Sequence, residues 1–318
     1  MAGHLRRQYV KRCDPQDFED PRVLAVLSDI LPERDPRAFI ERKAWEFAML
    51  ALYLDDAGML TEDTQALAVG AGDERILFWL ANRLLRVVAT DIYGSGEFAE
   101  NEASASMLSD PASHAPYPYR EDHLEVLWMD GRQLGFPDES FDVVFSVSSI
   151  EHFGGASDIA RSAREMARVL RPGGHAVILT EAYVIKHWLN SAPVDFALRL
   201  ASFGRLRRRA TPRRRAGVDV LTVREIERYI VAASGLTLAQ PYDLSLSPES
   251  WSNVATKHRD GRTQTATGEF WPHTMLRFRG STWTSICLAL QKSPRGQPRL
   301  TRHGPVRGKV PRPVAPFD

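Results

Sequence analysis

The chain has 318 residues, of which 43% are hydrophobic and 25% charged, and a net charge of +1. That is ordinary for one large globular domain with additions, and near-neutrality argues against a protein that grips nucleic acid by overall basicity. Two cysteines, Cys13 and Cys287, are too few for a disulfide framework, and the apolar run 47–54 is too short to span a bilayer. The basic start (Arg6, Arg7, Lys11, Arg12) lacks the apolar core of a signal peptide, so a cytoplasmic location is the expectation.

Residues 1–60 read as a helical extension. The pairs Asp14-Pro15, Asp20-Pro21 and Asp35-Pro36 each suit an N-cap followed by a first helical position. The third pair predicts a helix over 36–57, with Ile40, Ala44, Phe47, Ala48 and Ala51 along one face and Gly58 as its stop. Trp45, Met49, Leu52 and Tyr53 widen the apolar stripe, so the helix should be covered on two sides. Packing against a sheet is the simple reading of it; roofing a site is the functional one.

Next comes Ala66-Leu67-Ala68-Val69-Gly70-Ala71-Gly72-Asp73-Glu74, then Val87-Val88-Ala89-Thr90 ending in Asp91. This reads as a buried strand, a glycine turn, a helix over 74–85, and a second strand closed by a carboxylate. Such an arrangement forms the nucleoside-binding edge of a doubly wound sheet, with the acid about 20 residues after the glycines to reach a ribose. A dinucleotide fingerprint wants a third glycine where Arg75 stands, and Asp73 and Glu74 would compete with a pyrophosphate for amide donors. S-adenosylmethionine (SAM), which has no phosphate and carries a positive sulfur, avoids that conflict. The residues therefore favour SAM over NAD.

Residues 94–122 form a long connection with Pro111, Pro116 and Pro118, a length more often functional or disordered than idle. Strands are predicted over 124–128 and 141–146 from their near-continuous apolar character. A helix follows with Ile159, Ala163, Met166 and Leu170 inward, stopped by Pro172-Gly173-Gly174, and then a fifth strand over 176–179. The insertion 185–220 contains Arg205 to Arg215, seven arginines in eleven residues. This run suits a solvated loop, with contact to nucleic acid or an anionic membrane as the functional alternative. A capping box, Thr222 with Glu225, opens another helix ending at Gly235, and strands over 236–239 and 283–290 complete the set. A second insertion, 249–279, is aromatic-rich (Trp251, Phe270, Trp271, Phe278). Residues 293–318, with six prolines and six basic residues against Asp318, read as a disordered basic tail.

Taken in order, several blocks resemble the class I SAM-dependent methyltransferases, particularly the broad type 11 group. These are Ala68-Val69-Gly70-Ala71-Gly72, then Asp91, then Trp128-Met129-Asp130-Gly131, and then Phe136 to Val144. Ser149-Ile150-Glu151-His152-Phe153 and Arg168 to Gly174 follow. The resemblance covers residues 66–184, with a continuation to about residue 292, so that 61–292 would be the methyltransferase domain. It implies an α/β fold: a Rossmann-like, seven-stranded, doubly wound sheet, mostly parallel with an antiparallel last strand beside the sixth, and helices on both faces. It also implies a cofactor site made of Val69, Gly70, Ala71, Gly72, Asp91, Ile92, Asp130 and Gly131, with Asp91 on the ribose and Asp130 on the adenine amino group; Ser146 joins it because it ends the fourth strand at the carboxyl edge, where ligands of open α/β sheets collect. Two departures stand out. The family's acid before the first glycine is replaced by Ala68, and a further glycine by Glu74; Asp73 or Glu74 is then the candidate partner for the methionine amino group.

Methyl transfer from a sulfonium is an in-line displacement in which the protein mainly positions the nucleophile and excludes water. If the acceptor needs a base, His152 is the candidate, with Glu151 holding it; Glu181, Tyr183 and His187 are weaker candidates for the acceptor pocket. His258, His273 and the cysteines lack metal-ligand spacing, so no metal is expected. The expected activity is methylation of a small-molecule or saccharide-type acceptor. The rivals are an RNA or polyanion methyltransferase using the arginine run, a noncatalytic module on this fold, and an NAD-dependent oxidoreductase.

Overall fold

A computed structural model of the chain describes residues 5–96, 98–100, 102–187, 219–258 and 262–295. Both the arginine run and nearly all of the basic tail lie outside the described residues. Ten strands form one sheet: β1 (Gln65–Val69), β2 (Arg86–Asp91), β3 (Leu124–Trp128), β4 (Phe141–Val147), β5 (Leu170–Ile185), β6 (Thr237–Leu238), β7 (Ala255–Lys257), β8 (Thr263–Gln264), β9 (Leu276–Phe278) and β10 (Ser281–Gln291). The order is β3-β2-β1-β4-β5-β10-β9-β7-β8, with β6 pairing on β10. The first five strands are parallel, whereas β10 runs antiparallel to both β5 and β6.

The expected seven-stranded core is therefore β3-β2-β1-β4-β5-β10-β6, and the sheet is larger than expected by β7, β8 and β9. These three strands come from the aromatic insertion. The start of β10 offers a free edge, which Leu276–Phe278 covers through a hairpin at Arg279-Gly280. β7 then adds in parallel to β9, and β8 to β7. Short strands of this kind leave no periodicity long enough to read in the sequence.

Among the described residues, six helices accompany the sheet. They are α1 (Pro21–Ile30), α2 (Arg42–Asp56), α3 (Arg75–Ala81), the short α4 (Ser106–Ser109), α5 (Ala156–Val169) and α6, which runs through Val223–Ile226, a π-turn at Glu227–Val231, and Ala232–Ser234. The Asp-Pro reading succeeds twice. Asp20 accepts from the Arg22 N–H to cap α1, and Asp14 accepts from the Gln16 N–H to cap a 3-10 turn. At the third pair it fails: Asp35 closes only a turn, and α2 begins at Arg42. The intervening chain is pulled away, because Ile40 O accepts from the His273 N–H and Glu41 bridges to His273.

Two other helix ends also moved. α3 stops at Ala81 because Leu85 N–H is committed to Thr64 O, which feeds the chain into β2. α5 stops at Val169 because Leu170 already pairs with Phe141 as the start of β5. The capping box of α6 is present in both directions, Thr222 N–H to Glu225 Oε2 at 2.8 Å and Glu225 N–H to Thr222 Oγ1 at 3.2 Å.

The core lies on both faces of the sheet. One cluster gathers Ile159, Ala163 and Met166 of α5 and Ile226 and Ile230 of α6 against Leu67, Val144 and Ile178. On the other face, Leu27, Trp45, Leu50 and Phe78 pack with Ala66, Ala89, Phe145 and Cys287. That second cluster includes α1 and α2, so the first sixty residues share the core of the sheet. They are also tied in by polar bonds: Trp45 Nε1 donates to Asp17 at 2.7 Å, and Cys13 N–H donates to Ser285 O of β10 at 2.8 Å.

Because α2 belongs to the core, Leu50→Ala should destabilise the whole protein by about 2–5 kcal/mol, measured by urea unfolding. A loss below about 1 kcal/mol would mean that α2 is a peripheral appendage.

Candidate functional site

The parallel strands β1, β2, β3 and β4 all end on one edge of the sheet, where open α/β sheets collect ligands. The chain must turn sharply after Val69. Gly70 and Gly72 do so with φ of +68° and +50°, a backbone region that costs side-chain-bearing residues. Space excludes a side chain as well. A Cβ on Gly70 would lie 2.6 Å from Ser149 Cβ, and one on Gly72 would lie 2.7 Å from Glu102 O.

The turn is bonded on every side. Gly70 and Ala71 N–H both donate to Thr90 O, Ser149 Oγ donates to Gly70 O at 2.7 Å, and Tyr93 OH donates to Gly72 O at 2.8 Å. At the end of β2, Asp91 accepts from Gly72 N–H at 2.9 Å and from Ile92 N–H at 2.7 Å. Each carboxylate oxygen thus spends one lone pair on the turn and keeps capacity for a ligand. Burial lifts the Asp91 pKa above the usual carboxylate range, and these two N–H groups oppose the lift.

A cavity of ≈ 260 Å³ opens at this edge. Of the residues expected to bind a cofactor, Gly70, Gly72, Asp91, Ile92, Asp130 and Gly131 line it, and His152 does too. Val69, Ala71 and Ser146 do not. They border a small void beneath the turn, and Ser146 is buried with its Oγ unpartnered. The reason is the alternation of a strand: Val147 and the Ser148-Ser149 step beyond it reach the cavity, while Ser146 points below. Asp130 sits after β3 and is clasped by Arg132, whose Nε lies 2.9 and 3.0 Å from the two carboxylate oxygens. That bonding, ahead of an opposing burial effect, holds the Asp130 pKa below its ordinary value.

Several cavity residues had no sequence signal. Ser95, Phe98, Glu102 and Ala103 come from the 94–122 connection, whose described residues also carry α4 and two 3-10 turns. Phe153 and Gly154 follow β4. Lys43 comes from the first turn of α2, so this helix both packs on the sheet and reaches the site. Its Nζ lies 2.5 Å from Glu74 Oε1. Asp73, the other acid weighed for the methionine amino group, turns instead to His114 at 3.3 Å.

His152 Nδ1 lies 3.3 Å from Asp219 Oδ2, with Phe98 edge-on at 5.0 Å. Burial pushes the imidazole toward its neutral form, but Asp219 and Glu151 outweigh it and raise its pKa. Glu151 lies fully buried, accepting from Thr180 Oγ1 at 2.9 Å and the Glu181 N–H at 3.1 Å; burial pushes its pKa up to about 7. Glu151 therefore bonds to β5 and touches His152 only through its charge. Glu181 pairs with Arg42 at 2.6 Å, and Tyr183 and His187 lie on β5 and just beyond it, outside the cavity wall. No cluster of metal-ligating side chains occurs among the described residues.

Residues 67–178 match the family model of the methyltransferase domain, and they form the parallel β1–β5 part of a Rossmann-like sheet. The chain is 43% identical over 54 residues to "probable tRNA methyltransferase 9B" of Mus musculus, which covers 17% of this chain and 12% of that protein. It is 28% identical over 148 residues to 27-O-demethylrifamycin SV methyltransferase of Amycolatopsis mediterranei, covering 46% and 44%. Less than half the length of either relative is thus matched. Among solved structures it is similar to the YcgJ protein of Bacillus subtilis, with a TM-score of 0.45 and 16% identity over 77% of this chain and 98% of that one.

The cofactor of this family is SAM, and the cavity fits it. Both Asp91 oxygens retain acceptor capacity that ribose hydroxyls would use, Asp130 stands just beyond the neighbouring strand where an adenine amino group would meet an acceptor, and bare backbone lines the turn between. Replacing Asp91 by Ala should weaken S-adenosylhomocysteine binding about ten- to a hundredfold, the worth of one or two charged hydrogen bonds, as read by titration calorimetry. Unchanged affinity in a folded variant would remove Asp91 from the site.

Proposed function

We propose that the protein transfers the methyl group of SAM to a small-molecule or saccharide-type acceptor, leaving S-adenosylhomocysteine. The observation that carries this reading is the charge of the cavity: Glu74, Asp91, Glu102 and Asp130 line it against Lys43 and Arg132. An excess of carboxylates attracts a cationic sulfonium at close range. The same excess repels a pyrophosphate, which disfavours NAD, and repels the phosphates of a polynucleotide brought near the transferring methyl group. The bound cofactor would supply an already activated methyl group, so the protein's own residues have limited chemistry to perform.

Asp91 and Asp130 would hold the adenosine, and Ser95, Phe98, Glu102 and Ala103 on the cavity wall would help to exclude water. His152 lines the same space and is the group positioned to take a proton from an acceptor hydroxyl, with Asp219 orienting its ring through Nδ1. An amine acceptor, arriving neutral, would not need it.

The test is incubation of the protein with methyl-labelled SAM and, separately, a metabolite and glycan extract or total RNA. Label in the small-molecule or glycan fraction supports the proposal. Label in RNA, with binding that falls steeply as salt rises, assigns the activity to a polyanion acceptor instead. Failure of the folded protein to bind S-adenosylhomocysteine would leave a noncatalytic module.

The Asp219 contact sets the pH at which His152 can act. A base must be neutral to accept a proton, and Asp219 favours the charged imidazolium, so it raises the pH at which His152 becomes available. Asp219→Asn should therefore move the His152 titration, followed by NMR of the imidazole, to lower pH. The acidic limb of the pH–rate profile should move the same way. An unmoved titration would contradict the pairing.

A further inference from the structure

The family's acid for the methionine amino group is missing here, and Ala68 in its place is buried within β1. Methionine nevertheless carries both an ammonium and a carboxylate, and each needs a partner once it leaves water. Among the described residues, apart from Asp130 with Arg132, the cavity wall holds one close ion pair, Lys43 with Glu74.

Both members are only partly exposed, with side-chain accessibilities of 39% and 21%. Lys43 is further held by Glu46, whose Oε2 lies 3.6 Å away. Glu46 itself is 1% exposed. Its Oε1 accepts from Ser148 Oγ at 2.7 Å and from Ser285 Oγ, while Oε2 has no hydrogen-bond partner. A buried carboxylate fixed on one side by hydroxyls and left with an unpartnered oxygen toward Lys43 anchors the cation where it stands. Burial works against the ammonium, but Glu74 and Glu46 outweigh it and keep Lys43 charged.

We propose that the Lys43–Glu74 pair, contributed jointly by α2 and the end of the glycine turn, is the subsite for the amino-acid zwitterion of the cofactor. Lys43 takes the carboxylate and Glu74 takes the ammonium; Glu46 positions Lys43. This rests on the reading of the cavity as a SAM site and assigns its methionine end to a helix outside the stretch that matches the methyltransferase domain. The exchange is balanced in charge, because an ion pair opens to receive a second, complementary one.

The test uses calorimetric titration of the full chain with three probes. S-adenosylhomocysteine carries the whole zwitterion, decarboxylated SAM lacks the carboxylate, and 5′-methylthioadenosine lacks the amino-acid group altogether. The wild-type protein should prefer S-adenosylhomocysteine over 5′-methylthioadenosine by about tenfold or more, since two charged contacts are at stake. Lys43→Met should weaken S-adenosylhomocysteine about ten- to a hundredfold, leave 5′-methylthioadenosine within about twofold, and leave decarboxylated SAM nearly unchanged. Glu74→Gln should weaken both amine-bearing probes and spare 5′-methylthioadenosine.

Equal wild-type affinity for S-adenosylhomocysteine and 5′-methylthioadenosine overturns the proposal without any variant, which covers the case in which a variant fails to fold. Equal weakening of all probes by Lys43→Met also overturns it, since that marks a general structural role. Failure of the wild-type protein to bind any of the three instead removes the SAM reading itself.

Discussion

The hydrogen bond from the Gly72 N–H to Asp91 is the constraint on which the rest of the site depends. It ties the turn after β1 to the end of β2, so the two neighbouring strands finish in a fixed relation. It also holds the Asp91 carboxylate in place before any ligand arrives, and preorganisation of this kind lowers the cost of binding. The turn tolerates no side chain at Gly70 or Gly72, because neighbouring residues 149 and 102 already occupy that space. Backbone, carboxylate and covering segment are therefore one packed unit.

The second dependency runs through α2. This helix is buried along nearly its whole length, and its first five residues deliver three charged side chains to the ligand edge of the sheet. Arg42 meets Glu181 of β5, Lys43 meets Glu74, and Glu46 takes hydroxyl donors from the end of β4 and from β10. Within this set Glu46 is fully buried, so removing the groups that face it would leave its charge uncompensated, which is costly. The set is therefore a structural commitment as well as a chemical one. It couples the N-terminal segment to the cavity through both packing and charge.

The central strands were readable from the chain alone because buried parallel strands are written as apolar runs, and β3 matches its expected span residue for residue. The turn glycines and Asp91 were readable because only a few residue types satisfy their backbone and spacing requirements. Ser146 lies beneath the turn and off the cavity wall, a matter of strand facing that composition does not reveal. Lys43, Glu102 and Asp219 left no trace because their roles come from distant segments meeting in space. The start of α2 and the three added strands went unread for a related reason: a long-range pairing, of Ile40 with His273 or of β9 with β10, overrode the local pattern.

A crystal structure of the protein with S-adenosylhomocysteine would test the site most directly. The expected result is ribose hydroxyls within hydrogen-bonding distance of Asp91 Oδ1 and Oδ2, adenine beside Asp130, and backbone of Gly70 and Gly72 against the ligand. Density for the nucleoside at any other edge of the sheet, with Asp91 bonded only to Gly72 and Ile92, would contradict it.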